Sequence, residues 1–332
     1  MVFGKYGNAR SLAPPFLFGI ACARAGIPTM FIAPPAGGKS VTIFAIEKYL
    51  KEHDEKVRRI NRIGLRGLQK LSKWLNDVQT AVLLNEEFSS IGSSAYMTEK
   101  MGELIGNIAY SKSYHDDGLD IHIEMVKLGF LSGVQPLWVS NIMVHRVFAT
   151  HIREKFLRYY MLPYDVTPDV DDYEVISTLT EKTNEHEPYL VKRIPNEFVC
   201  ALAKQVGITR AKRYAPQIAH ELSKLIPKDT LGKALRFYAE NLAFENDMVI
   251  REIDEKGYIV RTRWREYTAL YWCLRRGKLT AGDFMLYLGV TSGKSVYNVI
   301  NAGLEVGWIT RVYNNSRPYY MATEGWRKRR AW

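Results

Sequence analysis

Two kinds of apolar block alternate along the first half of this chain. Residues 11–25 carry Leu12, Phe16, Leu17, Ile20 and Ala23 at helical spacing, and a continuous apolar run at 27–32 follows. A helix then runs to about Glu52, 51–62 is charged and of either type, and Leu65, Leu68, Leu71 and Leu75 again mark a helix. Residues 80–84 form a short buried strand that ends in Asn85-Glu86-Glu87. A mostly helical stretch is expected over 95–130, a strand over 135–141, a helix over 145–154 and a strand over 156–162. Helices alternating with wholly apolar strands predict an α/β fold, a parallel sheet with helices on both faces.

The pattern changes twice after that. Residues 163–188 are acidic and turn-rich, and 194–253 reads as helical throughout. From Trp264 onward there is helical spacing at 265–274, a second helix with Thr280 as N-cap, and a third over 295–306. Two alternating strands, 308–312 and 319–323, flank a hairpin loop at 314–317. This is the grammar of a winged helix, and it sets expected domains at 1–165, 166–257 and 258–332. A chain of 332 residues is long enough for two or three domains.

Charge sharpens the division. The chain carries a net +11, and +9 of it lies in 258–332, where thirteen Lys+Arg face four Asp+Glu. Such a bias predicts a polyanionic partner for the C-terminal region. No apolar run is long enough to span a membrane, and the N-terminus lacks a signal-peptide layout. Cys22, Cys200 and Cys273 are far apart, which suggests a reducing cytoplasm and no disulfide framework or zinc site. His115 and His122, near Asp116, Asp117 and Asp120, read as a solvated loop before they read as a metal site.

The chemistry concentrates after the first strand, in Phe31-Ile32-Ala33-Pro34-Pro35-Ala36-Gly37-Gly38-Lys39-Ser40. A buried strand, a small-residue loop and Gly-Lys-Ser opening a helix form the layout of a nucleoside-triphosphate phosphate loop. Pro35 and Ala36 lead into the amides of Gly37, Gly38, Lys39 and Ser40, which would wrap phosphate at a helix N-terminus; Lys39 would reach the β/γ-phosphates, and Ser40 would ligate Mg²⁺. Ala33 stands where the strict pattern has its first glycine.

The Pro-Pro loop resembles that of AAA+ ATPases, with Ala33 and Ala36 in place of two glycines. The order of phosphate loop, acidic strand tip, polar strand tip, helical lid and terminal winged helix is similar to that of archaeal origin-recognition initiators and the Holliday-junction branch-migration motor. The resemblance covers nearly the whole chain as architecture. It implies that Asn85 takes the place of the Mg²⁺-holding aspartate and Glu86 polarises the attacking water, with Glu87 next in line. It places Asn141, or Ser140, as the polar residue beside the γ-phosphate. It offers Arg153, before Arg146 or Arg158, as an arginine finger toward a neighbouring copy in a homo-oligomer, and Arg210 or Arg213 as a lid residue on the γ-phosphate.

In the winged helix, the third helix would enter a major groove of double-stranded DNA with Lys294, Ser295, Asn298 and Asn301. Arg317 on the wing and Arg327, Lys328, Arg329 and Arg330 beyond it would contact phosphates. Three functions follow: an ATP-hydrolysing DNA-binding protein of replication or recombination, a nucleotide-switched DNA-binding regulator with little turnover, and an adaptor with a vestigial site. A mobile element or virus is one setting that tolerates the departures from pattern.

Overall fold

A computed structural model describes residues 13–35, 37–144, 152–161, 194–245, 249, 264–288 and 292–325. Its centre is a five-stranded, wholly parallel sheet built from β1 (Pro28–Ile32), β2 (Val57–Arg59), β3 (Thr80–Asn85), β6 (Lys127–Val134) and β7 (Leu157–Tyr160). The spatial order is β2-β3-β6-β1-β7, so β1 lies between β6 and β7, and β6 separates it from β3. Both faces are apolar because both are covered. Met30, Ile32, Leu83 and Phe130 meet α3 (Leu65–Val78), α4 (Ala95–Ser111) and α5 (Pro136–Val144). Phe31, Val82, Leu84 and Leu131 meet α1 (Ala13–Ala25) and α2 (Lys39–Glu52).

Two expected elements differ. Residues 95–130 are not mostly helical. Helix α4 ends at Lys112, whose φ is +62°, and a hairpin of β4 (Tyr114–Asp116) and β5 (Ile121–Ile123) leads into β6. Residues 135–141 are not a strand either: Gln135 links β6 to α5, which opens at Pro136, where a missing N–H costs nothing. The strand of that region is β6, eight residues earlier in the chain than the expected one. Its two glycines are close-approach positions. A Cβ on Gly129 would stand 2.3 Å from the Ala23 carbonyl oxygen of α1, and one on Gly133 would stand 2.2 Å from that of Glu86.

The region 194–253 is helical as far as it is described, in α6 (Asn196–Val206), α7 (Ile208–Ser223) and α8 (Lys228–Phe244). These helices share one apolar cluster with α1 and α2, so their core is continuous with that of the sheet. They also close the sheet's β7 edge. Gln205 accepts from the Arg158 amide (2.9 Å) and donates to its carbonyl (2.9 Å). Asn241 does the same for Tyr160, at 3.1 and 2.5 Å. Two side-chain amides thus stand in for a sixth strand.

Beneath them lies a buried ion pair. Arg158 donates to both Glu245 oxygens, at 2.5 and 2.8 Å, and the Tyr160 hydroxyl donates to the same carboxylate at 2.8 Å. Burial, and then the Glu245 charge, push the Tyr160 phenol well above its ordinary pKa. Removing one partner leaves a buried charge uncompensated, so Glu245→Ala should destabilise the fold by about 3–5 kcal/mol. Denaturant titration checks this, and a loss below about 1 kcal/mol would show that the pair is not holding α8 to β7.

The C-terminal unit comprises α9 (Trp264–Arg276), α10 (Ala281–Leu288), α11 (Gly293–Glu305) and an antiparallel hairpin of β8 (Ile309–Asn314) and β9 (Arg317–Ala322). A single bridge joins Leu279 to Tyr320 beside it. Thr280 caps α10 as expected. Its hydroxyl accepts from the Asp283 amide at 3.1 Å, and the Asp283 carboxylate accepts from the Thr280 amide at 2.7 Å, a reciprocal capping box. At the hairpin turn Asn315 and Ser316 have φ of +48° and +63°, the paired left-handed geometry that two-residue hairpins favour. The unit docks on α8. Tyr271 donates to the Glu240 carbonyl, Arg276 pairs with the Glu240 carboxylate at 2.6 Å, and Phe244 meets Tyr271 edge-on at 5.1 Å.

Candidate phosphate-binding site and basic C-terminal surface

The strands are parallel, so the loops after β1, β3 and β6 emerge at one edge of the sheet. Ala33 continues β1 by donating to the Val134 carbonyl (3.2 Å) and is fully buried. It is not among the residues with positive φ, which explains why alanine serves where a glycine was expected. Gly37 donates to the Pro34 carbonyl at 3.1 Å. Ala36 lies outside the described residues. Gly38 caps α2 with φ of +83°, and no side chain caps that end, so its first-turn amides remain donors for an anion. Lys39 is buried, its ammonium donating to the carbonyls of Ala33 (2.6 Å) and Pro34 (3.0 Å). Ser40 follows in the first turn of α2, half-buried.

The tip of β3 sorts its three polar residues by pleat. Leu84 packs in the α2-side cluster and Leu83 in the opposite one. Side chains alternate along a strand, so Asn85 continues the Leu83 face and Glu86 the Leu84 face, toward α2. Asn85 is buried and engaged: it donates to the Ile60 carbonyl (2.9 Å) and accepts from Ser132 of β6 (2.8 Å). Its amide ties β3 to its neighbours. The carboxylate on the α2 side is Glu86, which is half-exposed, 3.8 Å from Arg59, and lines a cleft with Ile43, Leu84 and Arg59.

Glu87 is the carboxylate of this tip whose ionisation the Lys39 charge favours. Burial raises its pKa, while the Lys39 charge and hydrogen bonds with Gln135 and Ser89 pull it back down. Its Oε1 is buried without a hydrogen-bond partner among the described residues. Gln135 directly follows β6 and takes the polar strand-tip position that the sequence pattern gave to Asn141. Asn141 instead lies within α5, as does Ser140, which is buried. Gln135 was missed because its strand was placed too late in the chain.

The arginines are elsewhere. Helix α4 and the turn before β7 both end at the opposite edge of the sheet from the loop. Arg213 donates to the carbonyls of Tyr110 (3.0 Å) and Ala109 (3.4 Å) at the end of α4. Arg210 pairs with Glu154 at 3.5 Å and lies over the Tyr110 ring at 5.3 Å. Neither reaches the 33–40 loop of its own chain, because α7 packs across the far edge instead of over that loop. Arg153 is exposed at that same far edge, and Arg158 is buried against Glu245. His115 and His122 face each other across the β4–β5 hairpin, Nδ1 to Nδ1 3.3 Å, and no metal-holding group of three is present among the described residues.

On the C-terminal unit, Lys294 and Asn301 are exposed on α11, and Asn298 is half-buried between them. Ser295 is buried with Val296 and Val299, so its hydroxyl does not belong to that outer face. Arg317 is exposed at the start of β9. Arg327, Lys328, Arg329 and Arg330 lie outside the described residues. Tyr297, one turn from Lys294 on the same face, escaped the sequence reading although its i+3 spacing signals it. No helix among the described residues is long and apolar enough to cross a membrane. Compared with models of protein families and with curated sequences, the chain matches none.

Proposed function

We propose that this chain binds and hydrolyses ATP and binds double-stranded DNA, acting as an AAA+-like ATPase with a winged-helix DNA-binding unit in replication or recombination. One observation carries the ATPase reading: Lys39, Glu87 and Gln135, from three separate segments, interact at one edge of the sheet beside an uncapped helix start. The residues fit a nucleoside triphosphate with Mg²⁺, because Glu87 keeps a buried Oε1 with no hydrogen-bond partner among the described residues, within reach of the Lys39 charge.

Lys39 and the first-turn amides of α2 would hold the phosphates, and Ser40 and Glu86 would hold the metal ion. Bound Mg²⁺ offsets the charge that builds on the phosphates. Glu87 draws a proton from the attacking water, and Gln135 fixes the carboxylate's orientation. Arg153 acts only from a neighbouring copy, since its own loop lies across the sheet. The nucleotide-switch reading drew on Asn85 as a weakened metal partner. That support falls away, because Asn85 ties strands together and two glutamates follow it.

DNA binding is carried by α11, whose outer face presents Lys294 and Asn301, and by the basic excess of 258–332. Titrating the full chain with a fluorescent ATP analogue, and measuring steady-state turnover with and without duplex DNA, tests both halves. Mg²⁺-dependent binding and duplex-stimulated turnover are expected. No nucleotide binding at millimolar analogue would sink the ATPase half, and no duplex binding at low salt the DNA half.

A further inference from the structure

The β8–β9 hairpin extends beyond its own core. On one face, Ile309, Tyr320 and Ala322 are buried at the base, while Arg311, Tyr313 and Pro318 further along are exposed. Tyr313 is 66% exposed, and Tyr297 on α11 is 46% exposed. The two rings belong to one neighbourhood. Helix α11, which carries Tyr297, packs against β8, which carries Arg311 and Tyr313 on one face, and the Arg311 guanidinium lies 5.6 Å from the Tyr320 ring centroid. On the outer face, Lys278 stands 4.9 Å from the Tyr319 ring centroid. From 294 to 323 the chain has three basic residues and one acidic, Glu305.

Exposed aromatic faces interleaved with cations suit a planar, anionic ligand. Nucleobases stack on such rings while the cations take the phosphates. In a blunt duplex the base faces are already stacked on one another, so this surface has no use for them. We propose that Tyr297 and Tyr313 form a stacking platform for unpaired bases of a nucleic-acid strand, with Arg311, on the Tyr313 face of the hairpin, on its phosphates. The inference rests on the reading that this unit binds nucleic acid, and adds that it takes the single-stranded side of a junction.

The test is anisotropy of the full chain with a labelled oligothymidylate and, separately, a blunt duplex, each at two salt concentrations. Tyr313→Ala and Tyr297→Ala should each weaken oligothymidylate binding about tenfold, with the salt dependence unchanged. Tyr313→Phe should bind like the parent, because the ring is retained. Arg311→Ala should flatten the salt dependence by about 0.7 in log–log slope, the value for one single-strand phosphate. Duplex affinity should survive Tyr313→Ala. Absence of oligothymidylate binding, or equal binding by Tyr313→Ala, overturns the platform. Loss of duplex binding alone, with the oligothymidylate arm intact, overturns the duplex reading and leaves the platform standing.

Discussion

Lys39→Met should lower ATP affinity by about a hundredfold while the chain stays folded. A hydrogen bond between charged groups is worth about 1.5–3 kcal/mol, and the upper end of that range corresponds to the loss expected here. Methionine keeps the apolar stem that fills the buried site and removes only the ammonium. The carbonyls of Ala33 and Pro34 then lose their shared donor. A modest fall in melting temperature should therefore accompany the lost affinity. Calorimetric titration with ATP, alongside thermal melts, separates the two effects. A folded Lys39→Met variant with unchanged ATP affinity would refute the phosphate-loop assignment.

Glu87→Gln should leave ATP bound and slow turnover by about 10²–10⁴-fold, the usual worth of a positioned general base. Glu86→Gln should act differently, raising the Mg²⁺ concentration needed for turnover. The pair of variants decides between two ways of counting along β3. If Glu86→Gln stops turnover and Glu87→Gln does not, the frame taken from the sequence is right and the pleat argument is wrong. The pH profile adds an independent check. Burial raises the Glu87 pKa above its ordinary 4.5. The carboxylate is the working form, so activity should fall on acidification at a higher pH than for an exposed glutamate.

That difference of one residue shows where sequence reading stops. The strand–loop–helix layout from Phe31 to Ser40 is legible because its parts are local: an apolar run, two prolines, two glycines, then Lys39 and Ser40 on a helix start. Which residue of Asn85-Glu86-Glu87 faces the loop depends on the parity of the pleat, and parity shows only once Leu84 is known to meet α2. The polar strand tip was misplaced for a related reason. Leu137-Trp138-Val139 has strand propensity but sits in α5, whereas Gly129, Ser132 and Gly133 interrupt the apolar run that would mark β6 as a buried strand. Those glycines are there to let α1 and the Glu86 backbone come close.

Distant pairings were illegible altogether. Arg158 looked available until Glu245, 87 residues later, closed on it. Arg210 and Arg213 looked like phosphate ligands because a basic helix face carries no record of what it packs on. The C-terminal unit was read almost element by element, since its caps, turn and helix spacings are all short-range.

The sheet's two margins set a rule for how copies of this chain can assemble. On one side β2 is only three residues long, with Arg58 and Arg59 exposed. On the other, the amides of Gln205 and Asn241 already occupy the groups of Arg158 and Tyr160 that a newcomer's backbone would need. Neither margin is a template for further strands. Copies of this chain are therefore not expected to join by extending this sheet at either margin.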